Sequence, residues 1–214
     1  CSHRNIHYQF ARGAALIDIL EEFKLSDKGL SNGRGGSMNL TNPQGSIVYT
    51  SSILGNALCV GVGVALSKGI KQEDGVVLVE TGDGAVEEGA FYETIENARN
   101  MDLPLIILVE NNNWSLASQI EERRKPINLD QLASSLGARY TFLEGNNPLQ
   151  YFNEILLVRE RVHLQKTPEI VEVRLTTLGG WMPQTEVFPD GKYVNYHAGS
   201  AAKVSLDDGP VLNC

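Results

Sequence analysis

Hydrophobic positions along the chain recur at two periods. Within residues 8–23, Leu16, Ile19, Leu20 and Phe23 fall at helical spacing and predict one amphipathic helix. A second helix is expected over 53–68. It is rich in small residues (Gly55, Ala57, Gly61, Gly63, Ala65), which allow close backbone approach at a cost in helix stability that tight packing must offset. The neighbour so approached is either another part of this domain or a partner chain. Short continuous apolar runs at 76–79 and 105–109 read as buried strands. Further helices are expected over 87–99, 129–136 and 148–164, and further strands over 140–143 and 170–175. Strands alternating with helices imply an α/β fold, a parallel sheet of about five or six strands with helices on both faces. After Thr176 the pattern stops, and Gly179, Gly180, Pro183, Pro189 and Gly191 mark a long loop. Residues 1–175 are thus expected to form one ligand-binding domain, with 176–214 a loop-rich extension of it.

Composition narrows the function classes. The 214 residues suffice for one domain with a sizeable core, and 42% apolar with 21% charged residues is ordinary for a globular protein. A net charge of -8 argues against non-specific binding to nucleic acid or to anionic membranes, without excluding one anionic ligand at a local site. Cys1, Cys59 and Cys214 show neither zinc-ligand spacing nor a disulfide framework, which fits a reducing compartment. The expected location is the cytoplasm, or the mitochondrial matrix in a eukaryote. No signal peptide is visible, and the longest apolar stretch, 53–66, is glycine-punctuated and short for a bilayer. The N-x-S/T sequons at Asn39 and Asn113 fall inside the motifs below, where a glycan would block a site. The abrupt opening at Cys1 and close at Cys214 leave open the expectation of a fragment of a longer protein.

The chemistry concentrates in Val79-Glu80-Thr81-Gly82-Asp83-Gly84-Ala85, at the end of an expected strand and the start of a helix. That is the carboxyl edge of a parallel sheet, where α/β proteins bind ligands. Gly82 and Gly84 permit a tight turn against a ligand, and a helix start offers free N–H groups to an anion. Asp83 puts a carboxylate where a phosphate would otherwise be favoured, so a cation must sit between the two, and Mg²⁺ is the usual one. Asn111-Asn112-Asn113-Trp114 follows the next strand, with Asn112 29 residues beyond Asp83. One strand–helix–strand crossover fits that interval and brings both loops to one sheet edge. A dinucleotide fingerprint fails because Glu87 stands where its third glycine belongs, and no Gly-Lys-Ser/Thr makes the loop at 33–36 a P-loop.

Gly-Asp-Gly, this gap and Asn-Asn together resemble the thiamine-diphosphate motif. The run Gly82-Asp83-Gly84-Ala85-Val86-Glu87-Glu88-Gly89 is similar to that of alpha subunits of 2-oxo acid dehydrogenase E1 components (the pyruvate dehydrogenase type) and of transketolases. Upstream, Gly33-Arg34-Gly35-Gly36-Ser37-Met38-Asn39-Leu40 resembles the E1 alpha segment Gly-(Lys/Arg)-Gly-Gly-Ser-Met-His-Met. Thr50-Ser51-Ser52-Ile53-Leu54 resembles the E1 segment that holds the aminopyrimidine ring, and His3-Arg4 with Ala11-Arg12-Gly13 resembles its Tyr-Arg…Ala-(Lys/Arg)-Gly stretch. The resemblance covers residues 2–175. It implies that Asp83, the Asn112 side chain and the Trp114 carbonyl bind Mg²⁺. It further implies that Arg4, Gly82, Gly84 and Ala85 meet the diphosphate, and that Ser52 and Leu54 meet the aminopyrimidine.

Asn39 replaces the usual E1 histidine, and Thr176-Thr177-Leu178-Gly179-Gly180-Trp181 stands where E1 alpha chains carry a histidine-rich loop. Tyr196-His197-Ala198-Gly199 instead resembles the Trp-His-x-Lys ending of transketolase cofactor domains, making His197 the candidate catalytic histidine. Glu88 is a candidate catalytic acid if the site is transketolase-like, and otherwise a first-turn helix acid favourable with the dipole. The resemblance implies an enzyme with thiamine diphosphate and Mg²⁺ as cofactors. Its reaction would be oxidative decarboxylation of a 2-oxo acid, with pyruvate the expected substrate, and acyl transfer to a lipoyl group. The activating glutamate at N1′ of the cofactor comes from the other subunit in two-subunit E1 enzymes. A beta-type partner in an α2β2 heterotetramer, and a lipoyl acyltransferase, are therefore the partners implied. Two alternatives remain: a transketolase-like or carboligating subunit, and a non-catalytic partner subunit.

Overall fold

Four parallel strands carry the core: β1 (Val77–Gly82), β2 (Leu105–Asn111), and, later in the chain, β5 (Arg139–Leu143) and β6 (Glu169–Arg174). Their order in the sheet is β1-β2-β6-β5. The computed structural model describes residues 1, 5–115, 118–145, 147–177, 184–191 and 212–213. Among these the main sheet has four strands, fewer than the five or six expected, with β1 at one edge. Between β2 and β5 the chain makes a small antiparallel pair, β3 (Trp114–Ser115) with β4 (Ser118–Gln119). Thr176–Thr177 (β7) pairs in parallel with Leu212–Asn213 (β8).

Burial on both faces explains why β2 is a continuous apolar run. Leu105, Ile107 and Val109 pack with Leu58 and Ala65 of α3 (Asn56–Ile70), with Phe91, Ile95 and Ala98 of α4 (Gly89–Asn100), and with Leu129 and Ala133 of α6 (Leu129–Ser135). Ile106 and Leu108 face the other way, onto Val158 and Val162 of α7 (Pro148–Gln165). A parallel sheet with helices on both faces follows, because every second side chain of a strand needs its own apolar cover. The start of α7 is well specified. Asn147 caps it by accepting from the Leu149 and Gln150 N–H groups, and Pro148 occupies the first turn.

Two departures from the hydrophobic pattern have local causes. The expected helix over 8–23 is two helices, α1 (Ile6–Ala11) and α2 (Leu16–Phe23). Gly13 breaks them with a left-handed backbone, φ +83°. Of the predicted apolar face only Ile19 is buried, while Leu16, Leu20 and Phe23 are exposed. The helix expected from 87 begins as a 3₁₀ turn, Asp83–Glu87, and becomes α-helical only at Gly89. The small residues of α3 divide between two sides. Gly61 lies against Val79, where an added Cβ would come within 2.1 Å of Cγ2, whereas a Cβ on Gly63 would meet nothing within 4 Å. Among the described residues no helix is long and apolar enough to cross a membrane.

Candidate functional site

Parallel pairing puts the ends of β1 and β2 side by side. Gly82 is in register with Glu110, so the turn at Asp83 and the loop at Asn111–Asn113 leave the same sheet edge. The extended Gly82 delivers Asp83 into the 3₁₀ turn, where the carboxylate is 2% exposed. Burial pushes this carboxyl up to about 6, against the opposing pull of the Arg123 guanidinium. Arg123 Nη2 donates to Asp83 Oδ2 at 2.7 Å. Its Nη1 donates to Glu87, to which Arg124 Nε also donates, at 3.0 Å. Both arginines come at the end of α5 (Ile120–Arg123), which follows the β3–β4 pair directly.

Close approach is required at Gly84. A Cβ there would come within 2.7 Å of Ser115 Oγ on β3, so glycine lets the β3–β4 segment lie directly on the Asp83 turn. The asparagines shape the opposite lip. Asn111 Oδ1 accepts from Asn113 N at 3.0 Å, and Asn112 Oδ1 accepts from Trp114 N at 2.9 Å. Asn113 takes the left-handed conformation, φ +65°, that this tight reversal needs and that asparagine tolerates. Asn111 Nδ2 donates to Glu172 of β6, which also accepts from Tyr140, each at 2.6 Å. A cleft of about 140 Å³ opens here, lined among others by Asp83, Val86, Asn111, Arg124 and Glu172.

The donors fit a hard divalent cation. Asp83 is a buried carboxylate whose hard oxygens suit such an ion, although Arg123 balances its charge in this structure. Asn112 Oδ1 has a second acceptor lone pair beyond the one given to Trp114. Among the described residues no cluster of three His, Cys, Asp or Glu side chains could hold a metal, so any ion here needs amide and carbonyl oxygens as well. An anion is fitted too: Arg123 Nε is buried and has no acceptor among the described residues.

A second cluster gathers the upstream motifs. The 51 N–H donates to the Cys1 carbonyl, and the Cys1 amino group donates to Tyr49 O, so the chain start lies beside 49–51. Asn5 Nδ2 donates to Thr50 Oγ1, Thr50 Oγ1 donates to Leu40 O, and Gln9 Nε2 donates to both Asn5 Oδ1 and Leu40 O. This buried network ties the first helix, the end of the glycine-rich loop and the segment before α3 together. Glu22, fully buried at the end of α2, organises the loop itself. Its two oxygens accept from the N–H groups of Ser31, Gly33, Gly35 and Gly36 and from Ser31 Oγ. Burial opposes that charge, but the Ser31, Gly35 and Gly33 hydrogen bonds hold its carboxyl below the ordinary 4.5. Asn39, at the family's histidine position, has a buried Oδ1 with no donor among the described residues.

Ser52 and Leu54 are exposed, just ahead of α3. Gly55, in the left-handed conformation, backs onto Glu88, whose Cβ lies 3.1 Å from where a Gly55 Cβ would be. The Ser52 segment and the turn after Asp83 therefore meet. Glu88 is exposed, the N-cap residue of α4, with no side-chain cap bond. Arg4 and His197 lie outside the described residues. Glu22, Asn5, Gln9, Arg123 and Arg124 are site-shaping residues that motif reading did not reach.

Comparison with known proteins shows the family of the chain. Residues 1–180 match the family described as Dehydrogenase E1 component. The alpha subunit of the pyruvate dehydrogenase E1 component of Rickettsia prowazekii is 28% identical over 173 residues, 81% of this chain and 53% of the relative. The mitochondrial counterpart of Solanum tuberosum is 32% identical over 107 residues, 50% of this chain and 27% of the relative. Benzoylformate decarboxylase of Polynucleobacter necessarius superposes on 61% of this chain and 25% of its own, with 16% identity and a TM-score of 0.48. The chain spans about half the length of the Rickettsia relative it matches. With 180 of its 214 residues matched, this chain belongs to the dehydrogenase E1 component family and is similar to its alpha subunits.

Proposed function

We propose that this chain is the cofactor-holding part of an E1 alpha-type subunit that uses thiamine diphosphate and Mg²⁺ to decarboxylate a 2-oxo acid, pyruvate in the first instance. The acyl group would pass to a lipoyl carrier. The observation that carries the reading is the buried Asp83 at the end of β1, on the same sheet edge as Asn111–Asn113, in a chain of the E1 family.

Thiamine diphosphate, when bound, supplies a carbon nucleophile and a place for the electrons left when CO₂ departs. This chain's residues would anchor it. Asp83, Asn112 Oδ1 and the Trp114 carbonyl would hold Mg²⁺, a set of hard oxygens suited to that ion. The backbone of Gly82, Gly84 and Ala85 would lie against the diphosphate, with Arg4 as its counter-charge. Ser52 and Leu54, exposed where their segment meets the Asp83 turn, would meet the aminopyrimidine. His197 and Glu88 are the proposed proton-handling groups. The activating carboxylate at N1′ would come from a beta-type partner, as the resemblance to two-subunit E1 enzymes implies.

The test is to isolate the chain with its copurifying partner and assay pyruvate, 2-oxobutyrate and ketose phosphates with thiamine diphosphate and Mg²⁺. CO₂ release from a 2-oxo acid with acylation of a lipoyl acceptor supports the proposal. Turnover of ketose phosphates alone overturns it in favour of a transketolase-like enzyme.

A further inference from the structure

Arg123 occupies the place on Asp83 that the proposed metal ion would take. The guanidinium, 15% exposed, bridges Asp83 and Glu87, and Arg124 also pairs with Glu87. Two carboxylates and two guanidiniums thus balance without any other ion. A divalent cation at Asp83 would stand within a few ångströms of Arg123, and like charges so close in a buried site repel strongly. One of them must give way.

The way Arg123 is delivered allows this. It sits at the end of a four-residue helix that begins with the reciprocal cap of Gln119 and Glu122 and is tied to the Asn113 carbonyl by the Ile120 N–H, at 3.3 Å. Asn112 and Trp114 lie only a few residues before it in the chain, so the proposed metal ligands and the competing cation come from neighbouring parts of the sequence. Arg123 Nε, buried and without an acceptor among the described residues, is a donor still lacking an anion.

We propose that Arg123 is the resting counter-ion of Asp83, displaced by the divalent cation, and then a ligand of the diphosphate that the cation brings. The inference rests on the cofactor reading above. It adds that the metal alone binds poorly because it must displace a cation, and that metal and diphosphate bind well together because the displaced guanidinium finds the diphosphate. Cooperativity between the two ligands follows from this one side chain.

The test uses the purified chain with its copurifying partner. Mn²⁺ alone is titrated by electron paramagnetic resonance, and thiamine diphosphate in saturating Mg²⁺ by calorimetry. Arg123→Gln should bind Mn²⁺ about tenfold tighter and thiamine diphosphate about tenfold weaker, opposite shifts from removing one charge. Arg123→Lys keeps the charge and should return the Mn²⁺ constant toward wild type. A purely structural role would move both constants the same way. Both constants shifted together, or both unchanged, overturns the proposal. Asp83→Ala separates the two levels of the reading. If it abolishes Mn²⁺ and diphosphate binding while Arg123→Gln alters neither, only the arginine exchange fails. If Asp83→Ala binds both as well as wild type, the cofactor site itself is misassigned.

Discussion

At the scale of single residues, the site depends on charges that the fold has taken out of water. Glu22 is the clearest case, because its buried carboxylate holds four backbone N–H groups and one hydroxyl of the glycine-rich loop. Its folded carboxyl titrates below the ordinary 4.5, so the folded state binds that proton less readily than the unfolded chain. The resulting stability is present in full above that ordinary value and is lost as pH falls through the depressed folded one. Glu22→Gln keeps one acceptor oxygen but turns an NH₂ toward the N–H groups. It should cost about 3 kcal/mol near neutral pH, the scale of buried polar groups losing their partners. Urea unfolding across pH would check this: the gap between variant and wild type should close in acid, and a pH-independent gap would count against the charge. Gly-Asp-Gly and Asn-Asn stood out in the sequence because each follows an apolar strand run, at a spacing that one strand–helix–strand crossover spans. Glu22 did not, because Glu21-Glu22 reads as one charged helix end although only Glu22 is buried. Arg123 hides similarly in the charged run Glu121-Glu122-Arg123-Arg124-Lys125.

At the scale of elements, β1, β2, β6 and α7 were readable in advance. The strand β2 is apolar from Leu105 to Val109 because both its faces are covered, β1 and β6 carry shorter apolar runs beside the buried Glu80 and Glu169, and Asn147-Pro148 announces a helix start. The break between α1 and α2 was not readable, since a lone glycine is tolerated within a helical pattern and only the φ of Gly13 shows that it ends one. Helix α3 has both answers to the question its small residues raise. Gly61 packs inside the domain on Val79, and Gly63 faces outward. Gly61→Ala should therefore lose about 1–3 kcal/mol through overpacking against β1. Gly63→Ala should gain roughly 0.5–1 kcal/mol from helix propensity. Thermal melts of the two single variants would show opposite shifts of a few degrees, about 2–4 °C per kcal/mol for a chain of this size. Shifts of the same sign would mean that the two sides of α3 are not distinguished as described. If Gly63→Ala stabilises the chain yet weakens association with its partner, the outward face of α3 is part of the interface.

At the scale of the whole molecule, the assembled groups anchor a ligand more plainly than they move protons. Asp83, Asn112 and the arginines are the proposed binding groups, and the surface of α1 and α2 leaves Phe10, Leu16, Ile17, Leu20 and Phe23 exposed. Apolar side chains exposed along two successive helices would suit a covering partner. The chain alone, given Mg²⁺ and thiamine diphosphate, should show no decarboxylation of pyruvate with an artificial electron acceptor. Losing a positioned proton-transfer group alone removes on the order of 10²–10⁴-fold in rate. Robust turnover by a verified monomer would require an internal carboxylate, with Glu88 the first to replace. More basic than turnover is the proposed hold of the Asp83 edge on a diphosphate through a divalent cation. Calorimetric titration of thiamine diphosphate into the chain with its copurifying partner, in Mg²⁺ and again in EDTA, with wild type and Asp83→Ala, tests it most directly. Binding is expected in Mg²⁺ and none in EDTA, with a loss of about 100-fold or more in Asp83→Ala. Equal affinity with and without the metal, or an Asp83→Ala variant that binds like wild type, would contradict it.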